Sequence, residues 1–343
     1  MLGIDARAAR YTWTAALVIL LLSVLYLVRA TLFVFIVALL FGYLLSPLVN
    51  VIDRFLPTSR TRTPALAIAY VIFVGVLFVA VTQIGSRVVD QANSLRKSLP
   101  DRLVAWQQSK GAAPRAVTEM LEKLQEQIGK SSGDIIASLP RAGAKILSVA
   151  GDLVYVVIVP ILGFFFLKDG RVIRGHFLEM IGDQPWRTAM DDLLADVNLL
   201  LAHYMRAILL LSVATFAAYS IFFAILGVPY SFLLAALAAA LEFIPMIGPL
   251  TAGAVIMIVT AVSGGPILGA LAFLLIYRVF QDYVLSPHLM GAGVELHPLF
   301  ILFGVFAGAE IAGIPGAFLS VPVLALVRIL YRRIRGAAPV QTP

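Results

Sequence analysis

The sequence predicts an all-α polytopic membrane protein: an inverted repeat with two broken, re-entrant helical hairpins, plus an extramembrane helical segment. Three observations carry that prediction. The 343 residues are 61% hydrophobic and 13% charged, with a mean hydropathy of +0.96, where soluble domains carry roughly 25% charged residues. Apolar runs of bilayer length alternate with short basic loops. Two long apolar segments are each interrupted by an acidic residue followed by helix breakers, Glu242 with Pro245, Gly248 and Pro249, and Glu310 with Gly313, Pro315 and Gly316. Paired interruptions of this kind are the sequence pointer to a secondary transporter's binding site.

The elements follow in order. Residues 15–28 and 32–45 are two apolar segments joined around Arg29 and are expected to form a helical hairpin. Pro64 opens a third span that runs to about Gly85. Residues 86–148 are polar, and Val88, Ala92, Leu95, Leu99, Leu103 and Trp106, then Val117, Leu121, Leu124 and Ile128, recur at steps of three and four. That spacing predicts amphipathic helices outside the bilayer, a packing or subunit-contact module rather than a ligand site.

Residues 151–167 form a fourth span, and Trp186, Met190, Leu193, Val197 and Leu200 make an apolar stripe that predicts a helix lying along the membrane surface. It leads into a fifth span over residues 204–226. Residues 230–262 and 298–330 are the interrupted segments, with the span 267–285 between them. Each is too long for one crossing of about 20 residues and short for two, so each is read as a hairpin that enters and leaves on one side. The expected units are therefore residues 1–85, 86–148, 149–202, 203–263 (repeat 1), 264–335 (repeat 2) and a tail, 336–343.

Arg7 and Arg10, Arg54/Arg60/Arg62, Lys168/Arg171/Arg174 and Arg328/Arg332/Arg333/Arg335 fall on one side in this count. The excess of positive charge makes that side cytoplasmic, with both termini there. The hairpins then dip from opposite faces and their tips meet near the midplane.

Glu242 is the only acidic or basic side chain between Leu226 and Leu275. A charge at the bilayer centre costs at least about 2.5–3.5 kcal/mol, so it faces protein, water or a ligand. Glu242 and Glu310 are thus expected to exchange a proton, hold a cation, or bond the orphan amides at the breaks. Pro245, Gly248, Pro249, Gly313, Pro315 and Gly316 shape the tips. Gln281 and Asp282 are candidate contacts for the solute or ion, although Arg278 and Asp282, at i and i+4, suit an intrahelical ion pair. His297 reads as a helix-start residue, and His203, Trp13 and Tyr331 as interfacial.

Other classes are weakened by what the sequence lacks. There is no cysteine and no clustered histidine, so no metal site or cofactor is expected. No nucleotide-binding Gly-rich motif or zinc-protease motif occurs. The +7 net charge flanks apolar spans rather than interleaving with aromatics, which argues against nucleic acid. A membrane scaffold, or an intramembrane carboxylate enzyme, stays open as an alternative from a different class.

The runs Phe165 to Gly170, Leu226-Gly227-Val228-Pro229-Tyr230, Glu242 to Pro249, Gln281-Asp282-Tyr283-Val284-Leu285-Ser286-Pro287, Leu296-His297-Pro298-Leu299 and Glu310 to Gly316 with Val321-Pro322 resemble, in order and spacing, the bacterial autoinducer-2 exporter family, also described as PerM-like permeases. The resemblance implies a multi-pass bacterial inner-membrane protein, a homo-oligomer with a pentamer as the expected number, and export of a small polar solute with proton or sodium coupling. Some members are described as sodium/proton antiporters, the alternative activity. The chain departs from the family's Gly-Tyr-Leu-Arg-Gly-Gln-like run at His203-Tyr204-Met205-Arg206-Ala207-Ile208, which bears on the substrate and not on the fold.

Overall fold

The computed structural model describes residues 6–55, 63–108, 153–290 and 297–334, and every regular element among them is helical. The expected amphipathic stretch around Val117 to Ile128, Arg60, Arg62 and the C-terminal tail lie outside the described residues. The helices are α1 (Ala6–Leu27), α2 (Arg29–Phe55), α3 (Thr63–Ala80), α4 (Ser86–Gln108), α5 (Leu153–Glu179), α6 (Gln184–Leu226), α7 (Ser231–Leu241), α8 (Ile247–Val262), α9 (Ile267–Phe280), α10 (Ser286–Met290) and α11 (Pro298–Ile334). Six membrane-length apolar helical stretches occur among the described residues. The chain is an all-α polytopic membrane protein.

α2, α3 and α5 pack as one group. A Cβ on Gly163 would lie 2.8 Å from Phe41 Cδ1 and 3.2 Å from the Ala38 carbonyl oxygen. This is the close approach that small residues permit between membrane helices. Tyr70 donates to the Pro160 carbonyl at 2.9 Å. The Tyr70 ring also packs edge-to-face on Phe41 and Phe164.

Three expectations about continuity are corrected. The first two apolar segments do not turn back on each other. Val28 N donates to the Val24 carbonyl at 3.0 Å and Leu32 N to the Val28 carbonyl at 2.9 Å, so helical bonding runs from α1 into α2 and no hairpin forms. Residues 27–31 contain neither Gly nor Pro to reverse the chain. The surface stripe at 186–200 is not a separate helix either: α6 is one helix of 43 residues, about 65 Å long, since nothing between Trp186 and Leu226 breaks it. Likewise α3 continues into α4 through a π-helical turn, Val81–Gly85.

The second group is α6 to α9. Tyr219 and Phe223 of α6, Leu234, Ala235 and Ala238 of α7, Ala252, Ile256 and Val259 of α8, and Ala270, Phe273 and Tyr277 of α9 form a single buried cluster. Helices α7 and α8 pack on each other as a hairpin of 11 and 16 residues, about 16 and 24 Å, both shorter than a bilayer core of about 30 Å. Gly227 closes α6 in the left-handed conformation at φ 71°, its amide donating back to the Ala224 carbonyl.

α11 doubles back as well. Its backbone leaves the helical region at Ala312 (φ −139°, ψ 19°) and Gly313 (φ 65°, ψ −146°), a conformation open to glycine. A Cβ on Gly308 would lie 2.3 Å from the Gly316 carbonyl oxygen, and one on Gly304 2.6 Å from Leu324 Cδ1. Residues eight and twenty positions apart would be roughly 12 and 30 Å apart along a straight helix, so the two arms lie side by side.

At one end of the molecule Arg174 Nε donates to Asp191 Oδ1 at 2.7 Å, and Arg333 Nη2 lies 2.5 Å from Asp196 Oδ2. These pairs gather the end of α5, the start of α6 and the end of α11.

Candidate functional site

The tip of the first hairpin is a five-residue break, residues 242–246, between α7 and α8. It lies earlier than the breakers suggested: Pro249 and Gly248 fall in the first turn of α8, where a helix lacks amide partners and tolerates proline. Glu242 N still donates to the Ala238 carbonyl at 3.0 Å, Ile247 N turns onto the Pro245 carbonyl at 2.7 Å, and Met246 takes φ 62°. Gly248 fits because it has no side chain: a Cβ there would lie 1.8 Å from the Leu241 carbonyl oxygen.

This tip delivers Glu242 into the core, where it is 9% exposed. Gln281 Nε2 donates to Glu242 Oε1, and Thr215 Oγ1 lies 3.4 Å from Oε2. Thr215 also meets the Tyr277 hydroxyl at 3.1 Å. Ser212 on the same face of α6 donates to the Ala239 carbonyl at 2.8 Å. Gln281, 4% exposed, opens the π-helical turn Gln281–Leu285 that follows α9. A π turn inserts one residue per turn and re-aims the side chains around it, and it recurs at functional sites. Three elements therefore converge on one carboxylate: the hairpin tip, α6 and the π turn.

Among the described residues no cluster of histidine, aspartate and glutamate suits a metal ion. Hydrogen bonds from neutral donors leave Glu242 able to exchange a proton with water or a ligand, or to hold one monovalent cation.

The other candidates are placed differently. Asp282 is exposed, and its Oδ2 lies 2.9 Å from Arg278 Nε, the i,i+4 ion pair. Glu310 is exposed just before the break in α11 and, among the described residues, has no hydrogen-bond or ion-pair partner. Gly313 and Pro315 are exposed beside it and Gly316 is half-buried. The two hairpins meet through Phe243 and Phe318, whose ring centroids are 5.8 Å apart, rather than through their acids. Tyr204, Leu40, Ile208 and Val321 complete that contact. His297 Nδ1 accepts from Leu299 N at 3.3 Å, a helix-start role.

Sequence reasoning missed Thr215, Tyr277 and Tyr219. Tyr277 and Gln281 share a helical face at i and i+4, which was the one available signal. Nothing in the sequence pairs Thr215 with a residue sixty-two positions away. It also missed α4 as a partner of the hairpin: Gln91 Oε1 accepts from Leu233 N at 2.9 Å, Ser98 Oγ meets the Tyr230 hydroxyl at 2.8 Å, and Arg102 Nη1 donates to the Ser263 carbonyl at 2.7 Å.

Fold and site together define a multi-pass helical membrane protein that keeps one carboxylate in a buried polar cluster at a broken hairpin. The sequence comparison gives the family: the chain belongs to the AI-2E family transporters, whose model matches residues 15–336. It is similar to YueF of Bacillus subtilis (strain 168), 26% identical over 85% of this chain and 81% of that protein. MT0215 of Mycobacterium tuberculosis (strain CDC 1551 / Oshkosh) is 28% identical over 97% of this chain and 91% of its own length. The AI-2 transport protein TqsA of Escherichia coli (strain K12) is 25% identical over 88% and 86%. The role is transport across a membrane, not enzymatic catalysis.

Proposed function

We propose that the chain is a secondary-active transporter that exports a small polar solute of the autoinducer-2 kind, coupled to protons or sodium, by alternating access of its two broken hairpins. The observation that carries this reading is Glu242, buried at the tip of α7 and α8 and bonded to Gln281 and Thr215 from two other elements. A buried carboxylate in an apolar span is costly, and this cost supports reading it as a functional site.

In this reading Glu242 carries the coupling proton or ion and Gln281 orients it. Pro245, Gly248 and Pro249 set the tip that carries it, while Asp282 tunes the local field through Arg278. Glu310, with Gly313, Pro315 and Gly316, forms the second gate. The hairpins re-enter from opposite faces of a bacterial inner membrane. The end bearing Arg174 and Arg333 faces the cytoplasm, as the excess of positive charge there favours, and the protein works as a homo-oligomer, with a pentamer the number its family resemblance implies.

The test is counter-flow in proteoliposomes across furanones, small polyols and sodium, comparing wild type with Glu242→Gln. Solute exchange that Glu242→Gln abolishes supports the reading. Sodium–proton exchange with no organic solute favours the antiporter alternative, and unchanged exchange in Glu242→Gln rejects Glu242 as the coupling site.

A further inference from the structure

The geometry points to a ligand groove whose shape and donors fix the class of cargo: an uncharged molecule with a hydrogen-bond-accepting head and an apolar body. This rests on the transport reading above, but the wall of the groove favours an amphiphilic solute over the small polar one proposed there.

The groove has a volume of about 620 Å³ and runs between α8 and α9 from the tip of the first hairpin. That lies within the roughly 300–1,000 Å³ of small-molecule sites. Most of its wall is aliphatic, including Met257, Ile258, Leu271 and Leu274. A sugar-like solute would leave its hydroxyls unpaired against that wall, which weakens its binding.

One end is polar, formed by Tyr219, Gln281 and Arg278. Tyr219 is only 8% exposed as a residue, but it lines the groove, where its hydroxyl is open, and that hydroxyl has no hydrogen-bond partner among the described residues. Its ring is fixed, with Phe223, Phe273 and Tyr277 all at centroid distances of 5.1 Å, so the hydroxyl cannot swing away to find one. Gln281 spends one amide hydrogen on Glu242 and keeps a second. The guanidinium of Arg278 has donors beyond the Nε that faces Asp282.

A phenol hydroxyl that opens on the groove without a protein partner, beside two further sets of donors, suits an acceptor such as a lactone, ketone or amide carbonyl. Asp282 already balances the Arg278 charge, and Glu242 lies just behind Gln281, so a carboxylate head is disfavoured. The outer lip carries Leu250 and Leu275, both well exposed, so cargo of this class reaches the groove sideways from the lipid, where its apolar body concentrates it.

The test uses the full chain in lipid nanodiscs and radiolabelled γ-butyrolactone, γ-octalactone and γ-dodecalactone, each measured against empty nanodiscs. Protein-specific binding is expected to rise with tail length and to exceed that of an alkane of matching length. A Cβ on Gly253, which lines the groove, meets nothing within 4 Å, so Gly253→Leu fits without a clash at its base and should cut binding of the long lactone at least tenfold. Tyr219→Phe should weaken lactone binding about fivefold and leave alkane binding unchanged.

Equal binding of lactone and alkane, or insensitivity to both substitutions, would overturn the proposal and make the groove a lipid-facing crevice. Counter-flow of a tail-less furanone, blocked by Glu242→Gln, with no lactone binding would also overturn it while the transport reading stands. Lactone binding as expected with no counter-flow of any solute would strike the transport reading and support the ligand class alone.

Discussion

Arg102 and Ser263 are joined across the interface between α4 and the first hairpin, with Nη1 donating to the main-chain carbonyl at 2.7 Å. Ser263 is the C-cap of α8, so the guanidinium sits where a helix end leaves carbonyls unpaired and carries partial negative charge. Gln91, on the same helix, accepts from the amide of Leu233 in the first turn of α7. One amphipathic helix thus caps both arms of the hairpin at the end away from Glu242, each with the polarity that arm needs. The hairpin and α4 are therefore expected to move together.

Removing that cap should loosen the base of the hairpin. A hydrogen bond to a charged group contributes about 1.5–3 kcal/mol, so Arg102→Ala is expected to lower the thermal midpoint in detergent by several degrees, and Arg102→Lys to recover part of it. A cysteine pair at Ser98 and Tyr230, whose hydroxyls are 2.8 Å apart, should cross-link with a bifunctional thiol reagent in the membrane without blocking exchange. Loss of exchange on cross-linking would show that α4 must part from the hairpin during the cycle.

The two hairpin tips should differ from the rest of the chain in their intolerance of a single methyl group. A Cβ on Gly248 meets the Leu241 carbonyl at 1.8 Å and one on Gly316 meets the Gly308 carbonyl at 2.0 Å. Neither neighbour is the end of a flexible side chain, so Gly248→Ala and Gly316→Ala should cost at least about 3 kcal/mol through forced backbone shifts. Gly253→Ala, in open space within α8, is expected to be neutral or stabilising by up to about 1 kcal/mol. Folded yield by size-exclusion chromatography separates the two groups, and equal yields would refute the close packing.

Glu242 and Gln281 should behave as a coupled pair. Glu242→Gln keeps the shape and hydrogen-bonding groups, so the fold is expected to hold while coupled exchange falls at least tenfold. Gln281→Leu leaves the carboxylate with the longer contact to Thr215 alone, and an under-satisfied buried acceptor costs about 1–3 kcal/mol or more. The double variant Glu242→Gln, Gln281→Leu should be less destabilised than the sum of its parts, by at least about 0.5 kcal/mol. Additive thermal unfolding data would mean that the two side chains do not meet.

How much of this was legible in the sequence follows from the range over which each signal acts. The positions of the two breaks were readable, because Pro and Gly act on the residues beside them: residues 242–246 and Ala312–Gly313 lie within a few positions of the expected sites. Continuity was not. Arg29 looked like a loop residue, yet it donates to the Tyr26 carbonyl at 3.1 Å and stacks on that ring, so its charge is accommodated along a helix that never turns. The depth of Glu242 was expected from its isolation in an apolar run. Its partners were not, since Thr215 and Gln281 reach it only through tertiary packing, and the π turn that re-aims Gln281 has no sequence signature. Glu310 shows the converse: its sequence setting matches that of Glu242, but the tip of its hairpin is exposed while the other is packed under α6.

The ion pairs at the opposite end test whether α6 and α11 hold one relative position. Arg333 reaches Asp196 at 2.5 Å and Asp192 at 3.7 Å, and donates to the Ala189 carbonyl at 3.3 Å. Asp196 and Arg333 are only 22% and 26% exposed, so this contact is screened less than a surface pair, which contributes about 0–1 kcal/mol. Asp196→Ala is expected to destabilise by more than Asp192→Ala, whose side chain is 62% exposed. The reversed pair Asp196→Arg, Arg333→Asp should regain part of the loss suffered by either reversal alone, as measured by thermal unfolding at low salt. If instead the long first half of α6 must slide against α11 during transport, tethering a cysteine at Asp196 to one at Arg333 would stop exchange while raising the unfolding temperature. Equal destabilisation by the two aspartate substitutions would place the two helix ends apart from each other in the membrane.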